Sequence, residues 1–581
     1  MNQQFQLQLL PSTAGADQQQ SLAAPALDTS FESLVEGAIE AILTLFQTGK
    51  VVCVAFSGGK DSSVLMHLTI VAAKRAKAAR HAPVVIVTSS DTGVENPEVA
   101  QLLQSEHRKI EAALSAAEID FEMVVARPTL ATSWLVRILG GNKLPTFPGQ
   151  GADCSVFLKI QPMERERKRL CKERGIESMV TLLGTRFDES QHRQDAMRKR
   201  GEMAHKPYLN ANGELLMSPI AFFELDHIWE LVGMVRSGLM ESYTDFDAMF
   251  TLYADSGGTS CAVVSDAITE GLKAAREGCG ARTGCWNCVR VERDTSLENM
   301  INMDSRYEYM RGLNKLRNLL AHYRWDFSRR YWVLRSVDAG GKVRLTPDCY
   351  SPAYLLELFR YAATLDAQER VLARKQKIAP RFKILSIEEV VAIDAMWSLN
   401  GFHKPHTALL EWLAISDGHV QYPVPDVGTL EPIQQLRVNH QTEIQVEGGS
   451  WDGAEQRHFT GLRNIDVSLS ECLETRMLND GREVQKLPTN PVMHVDLESF
   501  AMAFDFEMDE IKKRHESPGT DWTDGYRFWV QYGTLALSPQ QVAEHDAILR
   551  RTNWRARNGF LGEEGNQRAQ ELGKRYELQA S

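Results

Sequence analysis

The stretch 51-VVCVAFSGGKDSSVLMHL-68 decides the fold because a glycine-containing loop joins two different hydrophobic patterns within it. Residues 51–56 are mostly apolar, which is typical of a strand buried on both faces of a parallel sheet. From about Asp61 the pattern becomes helical. The loop Ser57–Ser62 therefore lies at the carboxyl end of a strand and at the start of a helix. Helix N–H groups favour an anion there, and the two glycines let a ligand approach the backbone.

Three further apolar runs repeat the strand pattern downstream. They are rich in Val, Ile or Leu, are bounded by turn residues and alternate with helical patterns: 84-VVIVTSS, 121-FEMVVA and 179-MVTLLG. This alternation predicts an α/β fold with a doubly wound, mostly parallel sheet. Ligands of such sheets bind beyond the carboxyl ends of the strands. The ends to inspect are Ser57–Ser62, Ser89–Glu95 and Thr185–Ser190.

The rest of the chain divides by composition. We expect a disordered tail (residues 1–28), the α/β domain (29–250) and a cysteine-rich metal loop region (251–310). A mainly helical C-terminal region with DNA or partner contacts follows (311–581). Thr29 and Glu32 have the spacing of a capping box at the start of the first helix. A hairpin is predicted within 331-YWVLRSVDAGGKVRLTP-347, turning at 339–341.

Bulk composition excludes several classes of protein. The chain has 581 residues and a formal net charge of −11, so a uniformly basic nucleic-acid coat is excluded. No apolar run is long enough to span a bilayer and no signal peptide is evident, so we expect a cytoplasmic protein without membrane contact. Nine cysteines in a reducing compartment point to metal binding or catalysis rather than disulfides.

The loop fails the Walker A pattern G-x-x-x-x-G-K-[ST], because Val54 stands at the first glycine position and Asp61 follows the lysine. It matches S-G-G-x-D-S and resembles the PP-loop of the N-type ATP pyrophosphatases. The resemblance implies an adenine nucleotide α-hydrolase-like fold, with ATP and Mg²⁺ bound and ATP cleaved between its α and β phosphates. A glycine-rich turn capped by Ser62 is the structural alternative. The residues expected to hold the pyrophosphate are Ser57, Gly58, Gly59, Lys60, Asp61 and Ser62.

The other two strand ends add candidates. The segment 89-SSDTGVENPEV-99 resembles the D-T-x-x-x-x-P-E segment of phosphoadenylylsulfate reductases, which implies a nucleotide contact by Asp91; alternatively, Asp91-Thr92 caps a helix starting at Pro97. In 184-GTRFDESQHR-193, Arg186 and Arg193 can neutralise phosphate. The alternative for Arg186 is a surface ion pair with Asp188 or Glu189. We expect Lys60, Asp61 and Arg186 to be catalytic, with Asp61 placing the metal or capping the helix.

The run 279-CGARTGCWNC-288 holds three cysteines, Cys279, Cys285 and Cys288. A tetrahedral zinc or a cubane iron–sulfur cluster needs a fourth ligand, from either Cys154 or Cys261. We choose Cys154 on a resemblance to the iron–sulfur sulfonucleotide reductases, in which a cysteine precedes a Lys-x-x-Pro segment. Here that segment is 159-KIQP-162, and Lys159 joins the expected nucleotide-binding residues. These relatives have a second cysteine where Asp153 stands, which leaves its role to Cys279. A [4Fe-4S] cluster is therefore expected, with zinc as the alternative.

Taken as a set, the motifs resemble the DndC-type proteins of bacterial DNA phosphorothioation and the related SspD-type proteins. The set comprises SGGKDS, DT-x-VENPE, DC-x-x-x-LK, G-x-R-x-x-ES-x-x-R and CG-x-x-x-GCW-x-C, within about residues 30–310. The resemblance implies adenylylation of a DNA phosphate and replacement of a non-bridging oxygen by sulfur. The implied partners are DNA, a cysteine desulfurase as sulfur donor and other phosphorothioation proteins. The alternatives are a phosphoadenylylsulfate or adenylylsulfate reductase-like enzyme, a tRNA thiolase and a non-catalytic ATP-binding iron–sulfur scaffold.

Three basic segments are candidates for DNA contact. Residues 159–174 hold seven basic and three acidic side chains, residues 198–200 are all basic, and arginines flank Trp554, which could stack on a base. The alternative for each segment is a solvated helix face, which is the commoner role of such a basic run; for the Trp554 segment it is a terminal helix.

Overall fold

The computed structural model describes most of the chain. The described residues are 30–148, 150–151, 153–189, 191–210, 212–257, 284–332, 336–433, 442–451, 462, 475–477, 483–485 and 489–580. The predicted tail, residues 1–28, lies outside them. None of the described helices combines the length and the apolar character that crossing a membrane requires.

A six-stranded sheet forms the centre of the N-terminal half. Its strands are β1 (Val51–Ala55), β2 (Val84–Ser90), β3 (Asp120–Ala126), β4 (Met179–Leu182), β5 (Tyr208–Leu209) and β6 (Leu215–Met217). The order is β3-β2-β1-β4-β6-β5, and every neighbouring pair is parallel except β5–β6. The four predicted strands are all present, and the predicted mostly parallel α/β fold is confirmed. The order reverses between β1 and β4, which is where such sheets bind ligands.

Helices cover both faces of this sheet. The helices of this half are α1 (Phe31–Gln47), α2 (Lys60–Ala78), α3 (Pro97–Ala116), α4 (Trp134–Leu139), α5 (Asp153–Ser155), α6 (Gln161–Glu173), α7 (Gln191–Arg200), α8 (Leu225–Arg236) and α9 (Asp247–Gly257). Along β1, Val52 and Val54 join the main core, while Cys53 faces a smaller cluster that includes Leu170 of α6. The period-two alternation of a strand sends neighbouring side chains to opposite faces, so the sheet is buried on both sides.

The C-terminal half is mainly helical, as predicted. Its helices are α10 (Thr295–Met303), α11 (Arg311–His322), α12 (Pro352–Gln376), α13 (Ile387–Asn400), α14 (Thr407–Ser416), α15 (Leu497–Phe506), α16 (Met508–Glu516), α17 (Asp524–Gln531), α18 (Pro539–Arg557) and α19 (Gly562–Ala580). Its short strands are β7 (Arg330–Tyr331), β8 (Lys342–Leu345), β9 (Cys349–Tyr350), β10 (Thr442–Gln445), β11 (Thr475–Met477), β12 (Glu483–Gln485), β13 (His494–Val495) and β14 (Leu535–Ala536).

One local prediction is wrong and another is only half right. The first helix has Ser30 as its N-cap, not the predicted Thr29, and Ser30 makes no side-chain capping bond; Thr29 itself lies outside the described residues. The hairpin turn does form, since Gly341 donates its N–H to the Asp338 carbonyl. However, β7 pairs with β9, and β8 pairs with β10, because longer-range partners compete for these short strands. Among the described residues, the bridge Val337–Val343 and the bond from the Asp338 N–H to the Lys342 carbonyl, at 3.1 Å, close the turn.

The two halves meet at α4. Trp397 of α13 donates its indole N–H to the Leu139 carbonyl at the end of α4, at 2.6 Å. On α4 itself, Trp134 packs edge-on against Trp286 with ring centroids 6.4 Å apart. Trp286 lies between Cys285 and Asn287, so the C-terminal helices support the segment that carries the C-x-x-C pair.

Candidate nucleotide and cysteine sites

The loop between β1 and α2 has the form of an anion cradle. Gly58 adopts a φ of +72°, which favours glycine, and Gly59 is the N-cap of α2 without a side-chain capping bond. The Ser62 hydroxyl closes the loop on itself by accepting the Ser57 N–H at 3.2 Å and donating to the Gly59 carbonyl at 2.9 Å. A Cβ at Gly184, after β4, would lie 3.2 Å from Ser62 N. Two strand ends thus converge tightly on the start of α2.

The three residues expected to be catalytic form one charged chain. Asp61 Oδ2 pairs with Lys60 Nζ at 2.9 Å, and Asp61 Oδ1 pairs with Arg186 Nε at 2.6 Å. The Arg186 side chain is only 3% exposed, so it is not a surface residue, although Asp188 lies 3.5 Å from its Nη1. The structure therefore places two cations and one carboxylate at the loop. Asp61 is a suitable ligand type for Mg²⁺, which usually takes one or two carboxylates together with phosphate oxygens.

Tyr253 of α9 is a site residue that the sequence analysis missed. Its hydroxyl lies 3.4 Å from the Lys60 backbone nitrogen, and its ring centroid lies 5.4 Å from Lys60 Nζ. A Cβ at Gly59 would lie 3.3 Å from that hydroxyl. The ring packs edge-on against Trp229 at 5.7 Å. No motif marks Tyr253, because it reaches the loop from almost two hundred residues downstream.

The second strand end leads to the cysteine segment. Asp91 Oδ1 accepts the Gly93 N–H at 2.9 Å, and its other oxygen pairs with Arg127. Asp91-Thr92 does not cap α3, because the N-cap is Asn96, whose side chain accepts the Glu98 N–H. Past Asp91, Glu95 forms an antiparallel bridge with Cys285. The loop after β2 therefore holds the C-x-x-C segment in place.

Three of the four predicted metal ligands line one cavity of about 70 Å³, namely Cys154, Cys285 and Cys288. Thiols suit both zinc and iron–sulfur clusters, so the donors fit in type. Within the described part of the chain, no three His, Cys, Asp or Glu side chains are close enough together to hold a single metal ion. Cys279, the fourth predicted ligand, and Cys261, the rejected choice, lie outside the described residues, as do Ser190 and the Arg193 side chain.

Burial shapes the chemistry of the cysteine cavity. Desolvation raises the pKa of the Cys285 thiol to about 11, with nearby Lys159 acting in the opposite direction. Lys159 Nζ lies 3.7 Å from Glu95 Oε1, and burial raises the pKa of Glu95. Lys159 thus adjoins the cysteines and the loop after β2. A Cys285 thiolate would need a metal or a further cation to stabilise it.

Arg317 of α11 organises the backbone of the cysteine segment. Its guanidinium is 1% exposed and donates to the carbonyls of Cys288 and Glu292, each at 2.9 Å, and also to that of Val291. Arg317 also was not predicted. Its role depends on a contact between α11 and the cysteine segment, which no local sequence pattern predicts.

The three predicted DNA-binding segments differ in how far their charge is neutralised. Six of the seven basic residues within 159–174 pair with carboxylates, such as Arg167 with Glu214 and Arg169 with Glu166. The proposed stacking role of Trp554 is wrong, because this side chain is 1% exposed and its indole N–H is bonded to the Gly449 carbonyl. The residues 198–200 lie in and at the end of α7, where Arg198 and Lys199 are exposed.

Comparison with known proteins agrees with this geometry. Residues 51–240 match the family model described as the phosphoadenosine phosphosulfate reductase domain. The matched stretch is about a third of the chain, and it contains β1, the loop Ser57–Ser62 and Arg186. The search of curated proteins gave no match.

Two solved structures resemble part of the chain. One is the NAD⁺ synthetase from Burkholderia pseudomallei, at 17% identity, covering 38% of this chain and 74% of that one, with a TM-score of 0.23. The other is the U34-tRNA thiolase NcsA from Methanococcus maripaludis with its [4Fe-4S] cluster, at 12% identity, covering 48% and 80%, also with a TM-score of 0.23.

Proposed function

We propose that the chain is an ATP pyrophosphatase and sulfurtransferase that modifies a DNA backbone phosphate. ATP binds at the PP-loop, and a non-bridging oxygen of the DNA phosphate attacks the α-phosphorus. Pyrophosphate leaves into the loop, and the DNA oxygen becomes bonded to AMP. A sulfide-level sulfur then attacks the DNA phosphorus, and AMP departs with that oxygen. The product is a phosphorothioate linkage.

The observation that carries this proposal is that the charged loop and the cysteine segment lie at the ends of two neighbouring strands, β1 and β2. Lys60, Asp61 and Arg186 meet at the loop after β1, and the loop after β2 bonds the cysteine segment through Val94 and Glu95. Adenylylation needs charge neutralisation around the departing pyrophosphate, which the two cations can provide. Sulfur transfer needs thiol chemistry nearby, which the cysteine cavity can provide.

The roles of the loop residues follow from their positions. Lys60 and the first N–H groups of α2 bind the pyrophosphate oxygens, and Arg186 neutralises charge that develops at the bridging oxygen. Asp61 holds both cations in position and offers an oxygen to Mg²⁺ when ATP enters. Lys159 lies between the loop after β2 and the cysteines, where it can contact the nucleotide or the incoming sulfur.

The cysteines would hold the cluster predicted from the sequence. Cys154, Cys285 and Cys288 would supply three thiolates and Cys279 the fourth. When bound, a [4Fe-4S] cluster would bind or transfer sulfur next to the activated phosphate. We propose that a cysteine desulfurase supplies that sulfur as a persulfide, from which a thiol reductant releases it as sulfide while a disulfide forms. Other phosphorothioation proteins present the DNA.

The deciding experiment measures pyrophosphate release from ATP and phosphorothioate content in the DNA of cells that express the protein. We expect Lys60→Ala to abolish both signals, and Cys285→Ala to abolish phosphorothioate while leaving ATP binding intact. Thiolated tRNA with unmodified DNA would favour the tRNA thiolase alternative. ATP binding without pyrophosphate release, with or without DNA, would favour the scaffold alternative. Sulfite formation from a sulfonucleotide would favour the reductase.

A further inference from the structure

The cations around the cysteine cavity differ from those of the basic helix α6. Four charged side chains line this cavity: Arg137, Lys143, Asp153 and Arg290. Lys143 pairs with Asp153, so these two charges cancel. Within the described part of the chain, neither the Arg137 nor the Arg290 guanidinium forms an ion pair or hydrogen bond with another side chain. The cavity therefore retains two positive charges, whereas most cations of α6 are neutralised.

The Arg137 guanidinium is oriented so that it can bind an oxyanion. It lies in the last turn of α4, half-buried, with Cζ 3.9 Å from the centroid of the Phe157 ring. Stacking occupies the face of a guanidinium and leaves its in-plane N–H groups available for a bidentate acceptor. Burial without a partner at ion-pair distance lowers the pKa of Arg137, and Asp153 offsets this only through space. A bound anion would offset the cost of burying the Arg137 charge.

The walls of the cavity strengthen such an interaction. Trp134, Ile138 and Leu158 give it a mainly apolar lining, and charges attract more strongly where water is excluded. Arg290 follows the C-x-x-C pair by two residues and is exposed at the rim. One arginine thus stands inside the cavity wall and another at its edge.

We infer that Arg137 and Arg290 form a phosphate-binding subsite over the cysteine cavity, which holds a phosphate group of a nucleic acid or nucleotide next to the thiols. The inference rests on the proposed function for the identity of the substrate. The anion site itself depends only on the two arginines and the cavity. Such a subsite would place the phosphorus atom that receives sulfur beside the group that delivers it.

The test measures binding of a short fluorescein-labelled single-stranded oligodeoxynucleotide to the full chain by anisotropy, between about 50 and 200 mM salt. We expect Arg137→Gln and Arg290→Gln each to weaken binding about ten-fold. Each should also reduce the slope of log affinity against log salt by about 0.7, the share of one phosphate contact on a single strand. Arg137→Lys should keep the slope and still lose affinity, since lysine lacks the planar fork.

The matched control is Arg169→Gln, which removes an arginine already paired with Glu166 and Glu173. We expect it to change affinity by no more than about two-fold. A second arm measures AMP binding by competition. If the arginine variants weaken AMP and leave the oligonucleotide unaffected, the phosphate comes from a nucleotide; if they weaken the oligonucleotide, it comes from the DNA backbone.

Wild-type affinity of both arginine variants in both arms would overturn the inference, as would an equal loss in Arg169→Gln. Thermal unfolding reports whether Arg137→Gln folds. If it does not fold, the binding data for Arg290→Gln, a change at an exposed residue, decide the test. Pyrophosphate release from ATP is measured separately. Its absence alongside arginine-dependent binding would reject the proposed function and leave the subsite standing, and the reverse result would reject only the subsite.

Discussion

At the scale of single residues, Asp61 is the centre of the loop because each of its carboxylate oxygens pairs with a different cation. Asp61→Asn would leave the nearly buried Arg186 guanidinium with the Phe223 carbonyl at 3.3 Å and, among the carboxylates of the described residues, with Asp188 at 3.5 Å. We expect a loss of stability of about 2 kcal/mol, below the range for a fully buried pair because Asp61 is partly exposed. We also expect at least a hundred-fold loss of pyrophosphate release.

Asp188→Asn is the control for this prediction, since it removes the more distant and more exposed of the two carboxylates. Asp188→Asn should reduce the free energy of unfolding and the pyrophosphate release much less than Asp61→Asn does. Urea unfolding and a pyrophosphate-release assay measure the two effects. Equal losses in the two variants would show that Asp61 has no special role.

Tyr253 leads to a second prediction at this scale. Its hydroxyl stands beside the Lys60 N–H, where a pyrophosphate oxygen would arrive. We expect the hydroxyl to donate to that oxygen, so Tyr253→Phe should weaken inhibition by inorganic pyrophosphate about ten-fold, the usual effect of losing one bond to a charged group.

The corresponding control is Tyr361→Phe, which removes a hydroxyl bonded to Glu357 in α12. AMP affinity should stay unchanged in both variants, because AMP lacks the departing phosphates. Isothermal titration with each ligand gives the values. Tighter pyrophosphate binding by Tyr253→Phe would mean that the hydroxyl competes with the anion instead of binding it.

At the scale of elements, the cysteine segment depends on Arg317 for its shape. Arg317→Met would remove every bond from the guanidinium to the carbonyls of the segment, and each is worth on the order of 1 kcal/mol. We expect the segment to open more often, so that modification of the half-buried Cys285 by a thiol reagent in metal-free protein becomes at least about ten-fold faster.

Arg324→Met serves for comparison, because the Arg324 guanidinium pairs with the exposed Glu292 carboxylate, at 3.4 Å, and with none of the described carbonyls of the segment. Its labelling rate should match that of the wild type. Mass spectrometry of the labelled peptide identifies the cysteine. Unchanged labelling in Arg317→Met would show that the bridge from Glu95 to Cys285 alone holds the segment.

Elements were easier to predict than the contacts between them. The strands β1, β2 and β4 were found because each is largely buried on both faces, which leaves an apolar run in the sequence. The edge strand β3 is more exposed and was found from its Met123-Val124-Val125 core. The hairpin at 338–343 was only half right, because β7 and β8 find partners outside it. Trp554 was misread for a related reason. A tryptophan flanked by arginines looks the same in sequence whether it faces solvent or the core.

For the sites too, local motifs could be predicted from the sequence, whereas contacts between distant segments could not. Lys60 and Asp61 were found because a local motif carries them. Tyr253, Arg317 and Arg137 were missed because each acts through a neighbour that is distant in sequence or through a cavity built from several segments. Physical pairing also decides which cations are available, and it separates Arg137 from the neutralised arginines of α6.

At the scale of the whole molecule, α13 joins the C-terminal half to the wall of the cysteine cavity. Glu389 lies at this junction, where it completes a capping box with Ser386 and bonds Ser133, the N-cap of α4. Burial raises the pKa of Glu389 from 4.5 to about 6, with Glu388 acting in the same direction. The folded protein thus holds this proton more tightly than the unfolded chain does.

This shift makes the junction sensitive to pH. A raised pKa contributes stability that is fully present below about pH 4.5 and is lost as the pH rises through about 6. The loss for Glu389 is about 2 kcal/mol, from 1.36 kcal/mol per pKa unit. Glu389→Gln keeps the capping box, since glutamine also serves at this position, and removes the titration.

We therefore expect Glu389→Gln to raise the thermal unfolding midpoint at pH 7.5 and to leave it unchanged near pH 4.5. The comparison between variants cancels the opposite contribution of buried histidines such as His67 and His545, whose lowered pKa values of about 4 cost stability in acid. Glu388→Gln, one residue away, should raise the midpoint at pH 7.5 far less, because Glu388 makes the smallest contribution to the shift. A lower midpoint for Glu389→Gln at pH 7.5 would mean that the ionised carboxylate stabilises the junction, and that its bonds to Ser386 and Ser133 outweigh the cost of burying its charge.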